Sequence, residues 1–394
     1  MTSTTSLENQ LEALLSEPVE HGQHRAKSAW DAELRRCAGR IVLFGAGNTG
    51  SRVLARLRQD GITPLAFSDN APSSWGTARD GLPVLSPEDA AAQYGRQSAF
   101  VVTICNRDHN FAETQRQLQD LGCALIISAI PLRWKYQETF LPYYHHDLPH
   151  KVLEQALQVS ETMSLWSDEE SRREFLAQVR WRLLGDSSAL GPPAPGCQYF
   201  PSGIFRLSPE EVFVDVGAYN GDTIRQYLAL RGSCFRQILA LEPDPENFRE
   251  LGRCLDKLPP GIKSKIRAKP LAAGAECSSL RFQGGRGEGS SLDPQGAVEV
   301  QCVRLDELLS SLGPTFIKMD IEGAELEALG GARQTLRRHA PILAACAYHT
   351  QDHLWRIPLA IREIDPACRL FLRPHQYEGW DAVCYAVPPN RLSP

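Results

Sequence analysis

The sequence predicts an α/β protein made of two successive doubly wound units, and two observations predict it. Twice along the chain an apolar run leads into a glycine-rich turn and then a helix. Ile41-Val42-Leu43-Phe44 precedes Gly45-Ala46-Gly47-Asn48-Thr49-Gly50, and Val212-Phe213-Val214-Asp215-Val216 precedes Gly217-Ala218-Tyr219-Asn220-Gly221. Such runs, without polar alternation, suit parallel strands covered on both faces. Each turn is then followed by an acid ending the next apolar strand: Asp69, 19 residues after Gly50, and Glu242, 21 residues after Gly221. That spacing belongs to a βαβ unit in which the acid accepts ribose hydroxyls.

At 394 residues the chain is long enough for two cores. A formal charge of −5 leaves no basic footprint, so no nucleic acid partner is expected. No apolar run is long enough to cross a bilayer, and the first residues have neither a basic n-region nor an apolar h-region. A cytoplasmic location and no membrane partner are therefore expected. None of the 11 cysteines forms a C-x-x-C pair, and Cys105, Cys302, Cys346 and Cys384 sit in apolar runs, which predicts reduced core thiols.

Taken in order, residues 1–38 read as an N-terminal helical arm with Leu7, Leu11, Leu14 and Leu15 on one face. It would dock onto the rest or form a homo-oligomer contact. Residues 39–140 predict a Rossmann-like domain: the first strand, a complete G-x-G-x-x-G, a helix over Ser51 to Gln59, and a strand over Pro64 to Ser68. Gly81-Leu82-Pro83-Val84, a helix start at Ser86-Pro87-Glu88, and strands near Phe100 to Ile104 and Ala124 to Ile127 follow, for four or five strands in all. Two readings stand: a nucleotide or nucleotide-sugar site at Gly45, Gly47, Gly50 and Asp69, or a turn kept for packing that binds nothing. No hydride-transfer acid or base is seen, so dehydrogenase chemistry is not expected. Residues 141–200 form a helical connector built on Leu153, Leu157, Phe175, Leu176 and Leu183, broken at Gly191 to Gly196. His145, His146 and His150 do not predict a metal site, because Pro149 interrupts the helix that would align them. Tyr199 and Phe200 either cover a ligand or pack in the core.

Residues 201–394 carry the second unit. Tyr219 fills the middle glycine position of its turn, where a dinucleotide pyrophosphate needs bare backbone. A phosphate-free adenosine ligand fits better; S-adenosylmethionine needs only a close turn, an acid near its α-amino group and a ribose acid. Asp244 reads as an N-cap with Pro245 at the first helical position, and both Asp244 and Asn247 either cap or reach the ligand. A third strand over Ile266 to Gly274 would place Ala272 or Ala273 beside the adenine. The glycine- and serine-rich stretch from Gln283 to Ser291 is either a loop closing over substrate or a hairpin tip. A fourth strand from Thr315 delivers Asp320 and Glu322 to the carboxyl edge, and its Lys318 requires an acid partner. After a helix over Ala324 to Arg338, a fifth strand from Ile342 puts His349 at the same edge. A helix from Asp352 and strands over Arg369 to Arg373 and Ala382 to Val387 complete the unit.

The segments VDVGAYNGDT, LEPDPENF and KMDIEGAE, in this order, resemble the FkbM-type methyltransferases from roughly Tyr199 onward. The resemblance implies a class I, seven-stranded S-adenosylmethionine-dependent methyltransferase domain. It implies S-adenosyl-L-methionine as cofactor, met by Asp215, Gly217, Ala218, Tyr219, Asn220, Gly221 and Thr223 at the methionine end, Glu242 and Pro243 at the ribose, and Ala272 and Ala273 at the adenine. It also implies a carbohydrate-like acceptor, a sugar or secondary-metabolite hydroxyl. GAGNTG, SDN and the following G-L-P-V resemble small nucleotide-sugar or CoA-binding-like Rossmann modules of sugar-modifying enzymes. For a hydroxyl acceptor a base is wanted. His349 has the right intrinsic pKa and Asp320 is second. Asp320 and Glu322 alternatively meet the cofactor's amino group, a substrate hydroxyl, or a divalent metal with His349 as third ligand; no metal is assigned. The competing expectation is a sensor or scaffold that binds nucleotide or S-adenosylmethionine without turnover.

Overall fold

The structure, a computed structural model, describes residues 6–283, 291–292 and 298–393. Most of the glycine- and serine-rich stretch, residues 284–290, lies outside the described residues. The chain divides into two compact units. The first comprises Met1–Ala156, Leu176–Pro192 and Gln376–Trp380, and the second Leu157–Phe175, Pro193–His375 and Asp381–Pro394. The segment expected as a connector is thus shared out between them. No helix of the described residues is long and apolar enough to cross a membrane.

The first unit is built on β1 (Ile41–Phe44), β2 (Ala66–Ser68), β3 (Ala78–Arg79), β4 (Leu82–Leu85), β5 (Ala99–Val102) and β6 (Leu125–Ser128), in the order β3-β4-β2-β1-β5-β6. All pairs are parallel except β3 with β4. Successive residues of β1 and β5 enter different cores: Ile41, Leu43, Ala99 and Val101 one, Val42, Phe44, Phe100 and Val102 the other. Period-2 alternation with both faces apolar is what a doubly covered sheet requires. The two-residue β3, between turns at Gly76 and Gly81, is too short for pattern reading and is the strand missing from the expected count. The N-terminal segment forms helices Leu7–Leu15 and Val19–Arg36, and Trp30 of the second is fully buried with Leu132 and Tyr136.

The second unit contains β7 (Val212–Val216), β8 (Gln237–Leu241), β9 (Ile266–Lys269), β10 (Leu271–Ala273), β11 (Ser278–Gln283), β12 (Ser291–Leu292), β13 (Val298–Val303), β14 (Phe316–Met319), β15 (Ile342–Cys346), β16 (Arg369–Pro374) and β17 (Ala382–Val387). Seven of them make a sheet in the order β16-β17-β15-β14-β7-β8-β9, with β17 antiparallel to both neighbours and the rest parallel. The order reverses between β7 and β14, so the crevice beyond their carboxyl ends is where a ligand of such a sheet binds. The expected third strand is two. Pro270, which has no N–H to donate, ends β9, and β10 leaves to pair with β13 in a separate four-stranded sheet, β10-β13-β11-β12. The expected single helix after β14 also divides, into Glu325–Gly330 and Arg333–His339, at the Gly330-Gly331 pair.

Candidate active site at the carboxyl edge of the seven-stranded sheet

The turn after β7 is held by backbone bonds before any ligand arrives. Gly217 and Ala218 donate to Leu241 O (3.0 and 2.9 Å), and Gly221 donates to Ala218 O at 2.8 Å. Gly217 has φ 81°, and a Cβ there would stand 1.9 Å from Asp320 O, so only glycine lets β7 and the end of β14 approach this closely. Tyr219 takes φ 46°, an unfavourable region for a side chain of that size. The conformation is over-determined by Glu242, whose Oε2 accepts the Tyr219 N–H at 2.7 Å while Oε1 accepts Asp244 N–H at 2.9 Å. Burial pushes the Glu242 carboxyl up to about 7, against the opposing pull of those two N–H donors. Asp244 is the expected cap, accepting from Glu246 and Asn247 amides at 2.7 and 3.1 Å.

The first unit repeats this clamp with a shorter acid. Asp69 Oδ2 accepts Ala46 N–H at 2.7 Å and Oδ1 accepts Ala71 N–H at 2.8 Å. Both carboxylates expected to grip ribose therefore also tie the turn to the strand that follows. Gly50 is a packing glycine, since a Cβ there would lie 2.1 Å from Gly45 O.

Asp215 stands differently from expectation. It is fully buried, 3.1 Å from Lys318 Nζ, its register partner on β14, so it lies beneath the turn rather than in the crevice. Lys318 also donates to Gly217 O. Burial opposes the Lys318 charge, but Asp215 and Asp320 outweigh it and keep the ammonium protonated, while burial raises the Asp215 carboxyl to about 6 against the pull of Lys318. The ion pair expected for Lys318 is thus present, and it fixes the turn from below.

Beyond β14, Asp320 meets His349. Nε2 of the ring lies 3.2 Å from Asp320 Oδ1 and 3.9 Å from Glu322 Oε2, and Nδ1 lies 2.8 Å from Glu325 Oε1. Burial would favour the neutral ring, yet Glu325 and Asp320 hold the imidazole pKa well above its usual range. Burial likewise opposes the Asp320 charge, but His349 and Lys318 keep its carboxyl well below the usual range. His349, expected as the base, thus has both ring nitrogens facing carboxylates, Asp320 and Glu322 at Nε2 and Glu325 at Nδ1. Tyr199 donates to Asp320 Oδ2 at 2.7 Å and belongs to this polar array, whereas Phe200 packs among Phe213, Tyr227 and Phe316. Asp320, Glu325 and His349 offer ligand atoms within 4.8 Å of one another, but as arranged these atoms contact each other through the ring.

Sequence reasoning missed Glu325. It is fully buried, holds His349, accepts Ile321 N–H at 2.9 Å and lies 3.3 Å from His353 Nδ1. The available signal was an acid on the inward face of a helix otherwise buried through Ala328 and Leu329. Thr223 is buried in the helix after the turn and Pro243 is half-buried beside Glu242. Asn220 is held by Arg225, with Nη1 to its backbone oxygen at 2.9 Å and Nη2 to Oδ1 at 3.0 Å. Ala272 and Ala273 do not end the third strand of the main sheet as expected; they lie on β10, past the Pro270 break.

Residues 215–377 match the family model of the Methyltransferase FkbM domain. The matched stretch begins at Asp215 of the clamped turn and includes the Asp320–His349–Glu325 array. A 2-O-methyltransferase, NoeI, of Sinorhizobium fredii (strain NBRC 101917 / NGR234) is 26% identical over 154 residues, 33% of this chain and 60% of that relative. The chain thus spans less than two thirds of the length of that curated relative. The crystal structure of methyltransferase FkbM from Methylobacillus flagellatus KT superposes with a TM-score of 0.73 at 22% identity, covering 96% of this chain and 98% of that one. At this identity the likeness shows the fold: an α/β protein with a class I methyltransferase-like domain.

Proposed function

We propose that the protein is an S-adenosylmethionine-dependent methyltransferase that methylates a hydroxyl of a carbohydrate-like acceptor. One observation carries the reading: the clamped turn at Gly217–Gly221 and the acid array around Asp320 converge on one sheet edge, with Gly217 packed against Asp320 O where a Cβ would fill the space. The residues present fit the cofactor. Glu242, beside the close turn, would accept from the ribose of the nucleoside, and the bulk of Tyr219 disfavours a diphosphate. When bound, S-adenosylmethionine supplies a methyl group already activated by the sulfonium charge.

Asp320 is the array member positioned to meet an acceptor, being partly exposed while His349 and Glu325 are buried. Its low basicity is no obstacle, because a hydroxyl oxygen becomes strongly acidic as it is alkylated, so a weak carboxylate suffices to orient the hydroxyl and take the proton late. His349 and Glu325 keep Asp320 ionised and aimed. Support for an O-linked acceptor comes from the 2-O-methyltransferase named above, matched over part of its length.

Calorimetry of the full chain with S-adenosylmethionine and S-adenosylhomocysteine, followed by transfer of a labelled methyl group to a panel of oligosaccharides, tests the reading. Binding with turnover on a hydroxylated acceptor is the expected result. If neither nucleoside binds, the reading fails; binding without turnover on any acceptor leaves a sensor or scaffold.

A further inference from the structure

A cavity of about 400 Å³, its open mouth included, lies in the first unit at the carboxyl ends of β5 and β6. Ile104, Phe111, Ala129 and Trp181 supply apolar wall. Arg133, on the helix Ile130–Lys135 that follows β6, also lines it and is only 5% exposed. One face of its guanidinium lies over the Tyr143 ring at 4.9 Å. Among the described residues Nε and Nη1 have no hydrogen-bond partner, and no ion pair meets the charge. A guanidinium keeps its proton, and burying one without an ion-pair partner is costly, so the site favours an anion.

We propose that this cavity is a second ligand site that takes a small organic oxyanion, its phosphate or carboxylate group held by Arg133 and its body packed against Ile104, Phe111 and Trp181. The other polar groups fit an anion. His109 Nδ1 is a second buried nitrogen without a partner, its Nε2 being engaged by Thr114 Oγ1 at 2.9 Å. Burial, then Arg133 and Arg182, keep the His146 imidazole neutral, which marks the region as electropositive. The one acid in the wall, Glu378, is pushed up to about 7 by burial, with an oxygen accepting Phe111 N–H at 2.6 Å; it makes no ion pair with Arg133 and in its protonated form donates a hydrogen bond. The site is distinct from the glycine turn of this unit. Ile104 closes on that turn, where a Cβ on Gly45 would meet its Cγ1 at 2.7 Å, and Asp69 occupies the turn amide of Ala46.

Thermal unfolding and calorimetry of the full chain with inorganic phosphate, adenosine diphosphate and succinate test the proposal and separate phosphate from carboxylate. At least one of them is expected to bind and raise Tm. Arg133→Met should keep or raise the Tm of the ligand-free protein, because it removes an uncompensated buried charge. The same variant should lose the anion-induced shift and weaken binding at least tenfold, and Arg133→Lys should retain part of it. Binding of S-adenosylhomocysteine in the second unit should stay unchanged in both variants. No Tm shift with any of the three anions at about 10 mM, an equal shift in Arg133→Met, or an Arg133→Met protein that no longer folds would each overturn it, the last because it would make Arg133 a structural residue.

Discussion

Glu242 shows how one side chain serves two tasks and so acquires a pH dependence. In the unfolded chain it titrates near 4.5, and in the folded protein burial raises it to about 7. A carboxyl raised in the native state binds more protons there than in the unfolded chain. Its contribution is therefore complete below about 4.5 and is lost as pH rises through about 7, by an amount of the order of 3 kcal/mol. Glu242→Gln is expected to flatten unfolding free energy measured by denaturant between these two pH values; an unchanged slope would show that the carboxyl is not the titrating group. Ribose hydroxyls donate more strongly to the ionised form, so affinity for S-adenosylhomocysteine should rise with pH up to about 7, with proton release seen calorimetrically. His349 makes a different point. Asp320→Asn is expected to lower kcat by about 10²-fold or more with little effect on cofactor affinity, as for loss of a proton acceptor. His349→Asn should lower kcat less and shift the acid limb of the pH–rate profile upward, because Asp320 loses its cation. If both variants give the same profile as the parent, the array is structural.

At the scale of the element, the turn after β7 depends on the strand beside it. Gly217→Ala would drive a Cβ into the Asp320 carbonyl and should cost stability well beyond the ~1 kcal/mol of ordinary helix or strand propensity, while also loosening cofactor binding. A Gly217→Ala protein with parental Tm and affinity would contradict the close approach of β7 and β14. The Lys318–Asp215 pair joins the same two strands. Lys318→Met alone leaves a buried carboxylate and is expected to cost about 3–5 kcal/mol, whereas Lys318→Met with Asp215→Leu should recover most of it. Chemical denaturation of the three proteins measures the difference, and equal losses in single and double variants would refute the pairing.

At the scale of the whole molecule, the chain carries two α/β units whose first crossover is closed by the same device, an acid tying the N–H of the preceding turn, yet the two are expected to part in function. Gly217→Ala should leave anion-induced stabilisation through Arg133 intact, and Arg133→Met should leave methyl-donor binding intact; calorimetry with both ligands on both variants checks this. Much of the architecture was legible in the sequence because it rests on local signals. Apolar runs with both faces covered, glycine turns, the Ser86-Pro87 and Asp244-Pro245 helix starts, and the acids at Asp69 and Glu242 all depend on residues close in sequence. The split at Pro270 was available in the same way but was outweighed by the apolar run around it. What only the tertiary structure decided are pairings between distant residues. Asp215 and Lys318 lie 103 residues apart and meet through strand register, and that contact draws the acid under the turn instead of into the crevice. Glu325 and Asp320 meet His349 because β14 and β15 end side by side, and it is this contact, not the intrinsic pKa of histidine, that fixes the ring's charge. Composition and periodicity set which strands form; the electrostatics of a buried group follow from what the folded sheet brings within a few ångströms of it.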